Sequence, residues 1–153
     1  MSNYEAAIEW HLGAEESFET RKYSRAHRWK FDGGADVPAS ASPAVVGTVW
    51  SDPAGVDPEE GLVAALASCH MLFFLDLASR SGVTVTSYVD HAVGVVGKRD
   101  DGVVAMISAV MRPKITYAAP VDAAKIEGLH HKAHELCYIA NSVNFPVTVE
   151  PAE

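Results

Sequence analysis

Residues 58–81 place the strongest constraint on the fold. Asp57-Pro58-Glu59-Glu60 is a helix start: Asp57 caps, Pro58 suits the first helical position, and Glu60, three past the cap, completes a capping box. From there Leu62, Leu66, Cys69, Phe73 and Leu77 recur at three- and four-residue steps. Ala64, Ala65, Leu72 and Leu75 make the remaining surface apolar as well, until Gly82 ends the run. A helix that is apolar on all faces must be covered all round. One small sheet cannot do this, so the pattern predicts an obligate homodimer with the two Pro58–Ser81 helices at or near its centre.

The remainder of the chain reads as one domain, residues 1–153, because 153 residues at 48% hydrophobic can bury a core without a disulfide staple. Tyr4–His11 alternates loosely and Phe18–Phe31 brings more aromatic and charged residues, which predicts a β-hairpin with Asp32-Gly33-Gly34 as its exit turn. Ala35–Asp57 reads as a long surface loop with one short β-like run at Val45–Trp50. Two β segments follow, Val83–Lys98 and Val103–Tyr117, joined through Asp101-Gly102. A second helix is predicted over Val121–Ala140, with Asp122 near its start, and Val143–Glu150 as a final strand. The order ββ(β)–α–ββ–α–β is α+β.

Charge narrows the partners. Twelve basic against twenty acidic side chains give a formal charge of −8, a field that repels phosphate backbones and anionic membranes, so neither nucleic acid nor a membrane is expected as a partner. No stretch approaches about 18 consecutive apolar residues, and Met1–Leu12 carries Glu5, Glu9 and His11 in place of a basic start with an apolar segment. A cytoplasmic protein is the expectation. Two cysteines are too few for a secreted disulfide scaffold.

Cys69 lies on the predicted buried stripe of the first helix and Cys137 in the last turn of the second. Neither gains thiolate character from a helix N-terminus, because the dipole effect fades within the first turn. On residue type alone both are as well read as small hydrophobes filling a core. His130 and His134, an i, i+4 pair, with His131 nearby and Cys137 at helical spacing, offer a zinc-site alternative, although Leu-His-His-Lys-Ala-His lacks the glutamate of His-Glu-x-x-His. His70, about 100° round the helix from Cys69, reads as a packing residue.

Asp57-Pro58-Glu59-Glu60 followed by Leu62-Val63-Ala64-Ala65-Leu66-Ala67-Ser68-Cys69-His70-Met71 resembles the Pro-Glu-Glu … Ala-Ser-Cys helix of the osmotically inducible protein C and organic hydroperoxide resistance superfamily (OsmC/Ohr). His134-Glu135-Leu136-Cys137-Tyr138-Ile139-Ala140-Asn141-Ser142 resembles its second-cysteine helix, and the likeness runs from about Tyr23 to Val149. It implies an intertwined homodimer with antiparallel sheets around two long helices per chain. It also implies a thiol-dependent peroxidase acting on organic hydroperoxides in the stress response, in which Cys69 attacks, Cys137 resolves as an intramolecular disulfide and an external dithiol restores both. That dithiol would be a dihydrolipoyl protein, thioredoxin or a small thiol, and no resident cofactor or metal is implied.

The chemistry such a site needs selects its helpers. Burial raises a thiol's pKa, so a cation must stand near Cys69, and arginine is apt because it never loses its charge. The family's arginine lies in the N-terminal hairpin or about ten residues before the Pro-Glu segment. Ser40–Trp50 holds none, which leaves Arg25 first, Arg28 next and Arg21 third; in a strand Arg21 and Arg25 share a face that Arg28 does not. Glu59, ten residues before Cys69, lies closer in azimuth than Glu60, but about 15 Å of helical rise separates the two, so Glu59 is expected to serve the partner chain's thiol. Trp50, Met71, Phe73 and Phe74 are the expected apolar lining for a hydrophobic peroxide. The other reading is a non-enzymatic member of the same fold that binds hydrophobic ligands or senses redox state.

Overall fold

The structure is a computed structural model and describes residues 1–152. Its contacts gather into two compact units, Met1–Gly61 and Leu62–Glu153.

In the first unit, β1 (Ala6–Glu9), β2 (His27–Phe31) and β3 (Asp36–Ala39) form an antiparallel sheet in that order, with Ile8 opposite Trp29 and Arg28 opposite Pro38. The exit turn at residues 32–34 is present, with Gly34 at φ 86° donating its N–H to the Phe31 carbonyl. The expected hairpin is therefore real in its pairing but far shorter in its strands. Residues 10–26 are irregular, with turns at 14–15 and 18–21, and the Glu16 carboxylate ties them together by accepting from the backbone N–H groups of Gly13 and Ser24 at 2.9 and 2.8 Å. The rings of Trp10, Phe18 and Tyr23 cluster over this segment at centroid separations of 4.8–6.0 Å.

The β-like run expected at Val45–Trp50 is overturned: Pro43–Val46 is a short helix, α1. The Ser42 hydroxyl accepts from the Ala44 N–H and Pro43 presets φ for the first helical position, so the cap outweighs the β preference of two valines.

The helix α2 (Pro58–Arg80) starts as its sequence dictates. Glu60 N–H donates to Asp57 Oδ1 at 2.8 Å and Asp57 N–H donates to Glu60 Oε2 at 3.2 Å. Gly61, just inside the helix, accommodates the Trp29 indole, which stands 2.5 Å from where a Cβ would be. The helix gives way at Gly82, φ 73°.

In the second unit, β4 (Val85–Asp90) pairs with β7 (Pro113–Tyr117), while β5 (Val93–Lys98), β6 (Val104–Met111) and β8 (Val147–Val149) form a separate sheet in the order β5-β6-β8. Each long strand expected from the sequence is thus two. The break is made where Asp90 Oδ1 accepts the Arg112 N–H at 2.6 Å and Pro113 has no N–H to donate, so the ladder cannot run on. Arg99–Gly102 closes the β5–β6 hairpin, with Gly102 at φ 86°. The sheets are antiparallel as expected, except that β6 pairs with β8 in parallel.

Helix α3 (Ala123–Leu136) is capped by Asp122, which accepts from Ala124 and Lys125 N–H groups. It is shorter than the Val121–Ala140 expected, and a 3₁₀ turn at Ala140–Ser142 follows it. Phe74 and Ala78 of α2 pack with Val83 and with Leu129 and Ala133 of α3, flanked by Val85, Tyr88, Ile115 and Tyr117 of the β4–β7 sheet. Gly94 lets β5 approach Val63 of α2.

Burial on α2 follows a four-residue stripe, Leu66, His70, Phe74 and Ala78, displaced by one position from the expected Cys69–Phe73–Leu77 line. On the other side Ala64, Ala65, Ser68 and Leu72 are open in the single chain, with Leu72 60% exposed. By length and composition, with a mean hydropathy of 1.8, α2 is apolar enough to cross a membrane, which the count of uninterrupted apolar residues did not anticipate. Here its stripe is enclosed by α3 and the β4–β7 sheet instead. Phe74 is fully enclosed, so Phe74→Ala is expected to lower unfolding free energy by about 3–5 kcal/mol in a denaturant titration.

Candidate active site

The two thiols meet. Cys69 is carried by the middle of α2, half-buried, and Cys137 sits immediately beyond the last residue of α3, fully buried; both are free. The placement of Cys137 corrects the expectation of a last-turn residue: it is the C-cap, with extended ψ of 107°. Cys69 lies close enough to Cys137 to act on its thiol. The Cys137 thiol is pushed up to about 11, chiefly by burial and in smaller part by Cys69, against the Ala140 N–H, which stands 3.4 Å from Sγ and works the other way. Cys137 therefore keeps its proton at neutral pH.

Cys69 opens onto a cavity of about 500 Å³ lined on α2 by Ala65, Ser68, Leu72, Phe73 and Asp76 and across from it by Tyr138 and Ile139. Phe73 and Tyr138 meet edge to face at 5.2 Å. Asp76 is paired with Arg80 at 3.0 Å. The cavity is thus apolar around the sulfur and charged at one edge.

Of the expected lining residues, Phe73 is in place. Phe74 is not: it is a core residue, with its ring 4.4 Å from the His130 ring and 5.8 Å from that of Tyr88. The two neighbours differ because one step along a helix turns the side chain by about 100°. Met71 is half-buried outside the cavity wall. Trp50 belongs to the first unit, where its carbonyl accepts the Arg25 N–H at 2.9 Å. Sequence reasoning missed Leu72, Tyr138 and Ile139; Tyr138 and Ile139 directly follow Cys137, and that adjacency was the available signal.

Arg25, Arg28, Glu59 and Glu60 also belong to the first unit. Arg28 is committed to Asp36, Nε to Oδ1 at 2.8 Å. Arg25 precedes β2, so the argument from alternating strand faces does not reach it or Arg21. Its guanidinium lies 3.8 Å from the centre of the Tyr23 ring and donates to the carbonyls of Arg21 and Tyr23, and no carboxylate pairs with it among the described residues. Glu59 is half-buried in the first turn of α2, whereas Glu60 is taken up by the capping box.

The histidines organise differently from a zinc site. His130 turns to His70, Nδ1 to Nε2 at 3.1 Å, with ring planes 4° apart; among the described residues no three histidine, cysteine or carboxylate side chains converge as a metal would need. Both imidazoles are lowered to about 4, His130 by burial and His70 by burial together with the neighbouring His130 and His134. The stripe Leu66–His70–Phe74–Ala78 at steps of four was the sequence signal for a buried His70.

The chain belongs to the OsmC-like protein family, whose model matches residues 51–152. It is similar over 99% of its length, and over all of the other chain, to an OsmC-like protein of unknown function from Vibrio cholerae, at 45% identity and a TM-score of 0.95. The same fold is found in an organic hydroperoxide resistance protein from Elizabethkingia anophelis (17% identity, TM-score 0.72, 99% and 98% of the two chains) and in one from Bacillus subtilis (17%, 0.68, 99% and 98%). No curated protein matches the chain.

The histidine pair makes stability depend on pH. Its imidazoles titrate at about 4 in the fold against 6.5 unperturbed, so unfolding takes up protons between those values. The pair's contribution is complete above about pH 6.5 and is lost as pH falls through about 4. Thermal melting is expected to drop across that window, and the drop should be shallower in His130→Asn.

Proposed function

We propose that this chain is a thiol peroxidase that reduces organic hydroperoxides to alcohols, working in a reducing compartment such as the cytoplasm. The observation that carries the reading is a pair of free, interacting thiols, Cys69 and Cys137, the first of which lines an apolar cavity. The Cys69 thiolate attacks the terminal peroxide oxygen, the O–O bond breaks, and the electron pair leaves on the alkoxide, which takes a proton to become alcohol. Cys69 is now a sulfenic acid. The Cys137 thiol then attacks the sulfenic sulfur, the S–O bond breaks, water leaves and the disulfide forms. An external dithiol returns both sulfurs to thiols by two exchanges.

The thiolate needs a cation, and Arg25 is our choice over Arg28, because the Arg28 charge is already matched by Asp36. A homodimer completes the site: the exposed Leu72 face of α2 is its centre, and Glu59 orients the arginine beside Cys69 of the partner subunit. The cavity wall of Leu72, Phe73, Tyr138 and Ile139 suits a peroxide with an apolar body.

Purified protein with excess dithiothreitol is expected to consume cumene hydroperoxide catalytically, and Cys69→Ser to lose that activity. One equivalent of peroxide should remove two hydrogens from the intact mass of the wild type but not of Cys137→Ser. Arg25→Met is expected to lower kcat/KM by about 10- to 1,000-fold, because the attacking thiolate loses its cation, while Arg28→Met changes it little. Equal peroxide consumption by wild type and Cys69→Ser sinks the peroxidase reading. The apolar cavity would then support the alternative, a hydrophobic-ligand or redox-sensing protein.

A further inference from the structure

A pair of buried imidazoles joins the helices that bring the two sulfurs together. His70 directly follows Cys69 on α2, and His130 precedes Cys137 by seven residues, two turns along α3. His70 is fully enclosed and His130 nearly so, at 6% exposure. The 3.1 Å bond between His70 Nε2 and His130 Nδ1 is the polar contact each ring makes, since His70 Nδ1 and His130 Nε2 are enclosed without partners. His134, on the next turn of α3, lies near enough to influence His70, and its own Nδ1 is enclosed without a partner too. These three nitrogens are shut away from solvent, so they are not an open ligand site.

We propose that the His70–His130 hydrogen bond is a positioning element for the thiol pair: it fixes the axial register of α2 against α3 and so sets how readily the Cys69–Cys137 disulfide forms. This rests on the thiol chemistry proposed above. The apolar contacts among Phe74, Leu129 and Ala133 hold the helices together but are non-directional and tolerate a slide along the axis. A hydrogen bond weakens steeply with a shift of a fraction of an ångström or a tilt. A disulfide is as demanding, with Cβ atoms held about 3.5–4.5 Å apart, whereas a one-turn slip moves a residue by about 5.4 Å. Two turns from the sulfur, a directional bond supplies the precision that packing lacks.

The test is the thiol–disulfide equilibrium of the full chain in mixtures of reduced and oxidised dithiothreitol. His130→Gln carries its amide one bond too far to meet His70 and is expected to weaken disulfide formation at least tenfold, about 30 mV toward a less negative potential. His130→Asn places an amide where Nδ1 was and should recover to within about threefold of the wild type. Val83→Ala, a core truncation that leaves the His70–His130 bond in place, should lower the melting temperature with little effect on the equilibrium. The proposal is overturned if His130→Gln folds and matches the wild type, or if Val83→Ala shifts the equilibrium as far. Should the His130 variants fail to fold, imidazole ¹⁵N resonances of the wild type decide: the bond must be present in both dithiol and disulfide forms, and its absence from either is fatal. A wild type that forms no Cys69–Cys137 disulfide defeats this proposal and the peroxidase reading together. A disulfide that forms without peroxide turnover defeats only the latter.

Discussion

A thiol–thiol contact is a demanding thing to build into a fold, because neither sulfur tolerates much displacement and each comes from a different helix. Here α2 delivers Cys69 from its middle and α3 delivers Cys137 from the point where the helix has just ended. Ending α3 there frees the backbone to turn, the Ala140 N–H comes back onto the Cys137 sulfur, and the Asn141 side-chain amide donates to the carbonyls of Glu135 and Cys137. The cap, the core stripe and the histidine bond all serve one separation.

The asymmetry between the sulfurs follows from where each is held. Cys137 is enclosed, which disfavours its anion; Cys69 borders an apolar cavity and can be reached. A peroxide needs access and a nucleophile on one sulfur, while the second must wait protonated until a sulfenic acid appears beside it. Placing one cysteine on a helix flank and the other under a 3₁₀ turn would separate those duties in the proposed peroxidase cycle.

Much of this was legible in the chain. The Asp57–Glu60 box and Gly82 bounded α2 to within a residue, because capping is local chemistry. The cysteines and their flanking residues marked the family for the same reason. What sequence misjudged was decided at longer range or by competing local signals. Val45–Val46 followed Ser42-Pro43 into a helix; the Asp90–Arg112 bond divided two long strands into four; and the buried stripe of α2 fell on His70 and Phe74 because α3 packs there, which a helix apolar on every side does not announce. Arg25, the first choice among the arginines, lies ahead of β2 with its guanidinium over Tyr23, a contact that has no signature in strand periodicity.

Enclosure of Cys137 has a consequence for how this protein would fare under chemical stress. Alkylating agents and quinones find one nucleophilic sulfur per chain instead of two, and the damage that no dithiol repairs, oxidation to sulfinic or sulfonic acid, falls on Cys69. In the proposed cycle its insurance is kinetic: a neighbouring thiol can condense with the first oxidation product before a second oxidant molecule arrives.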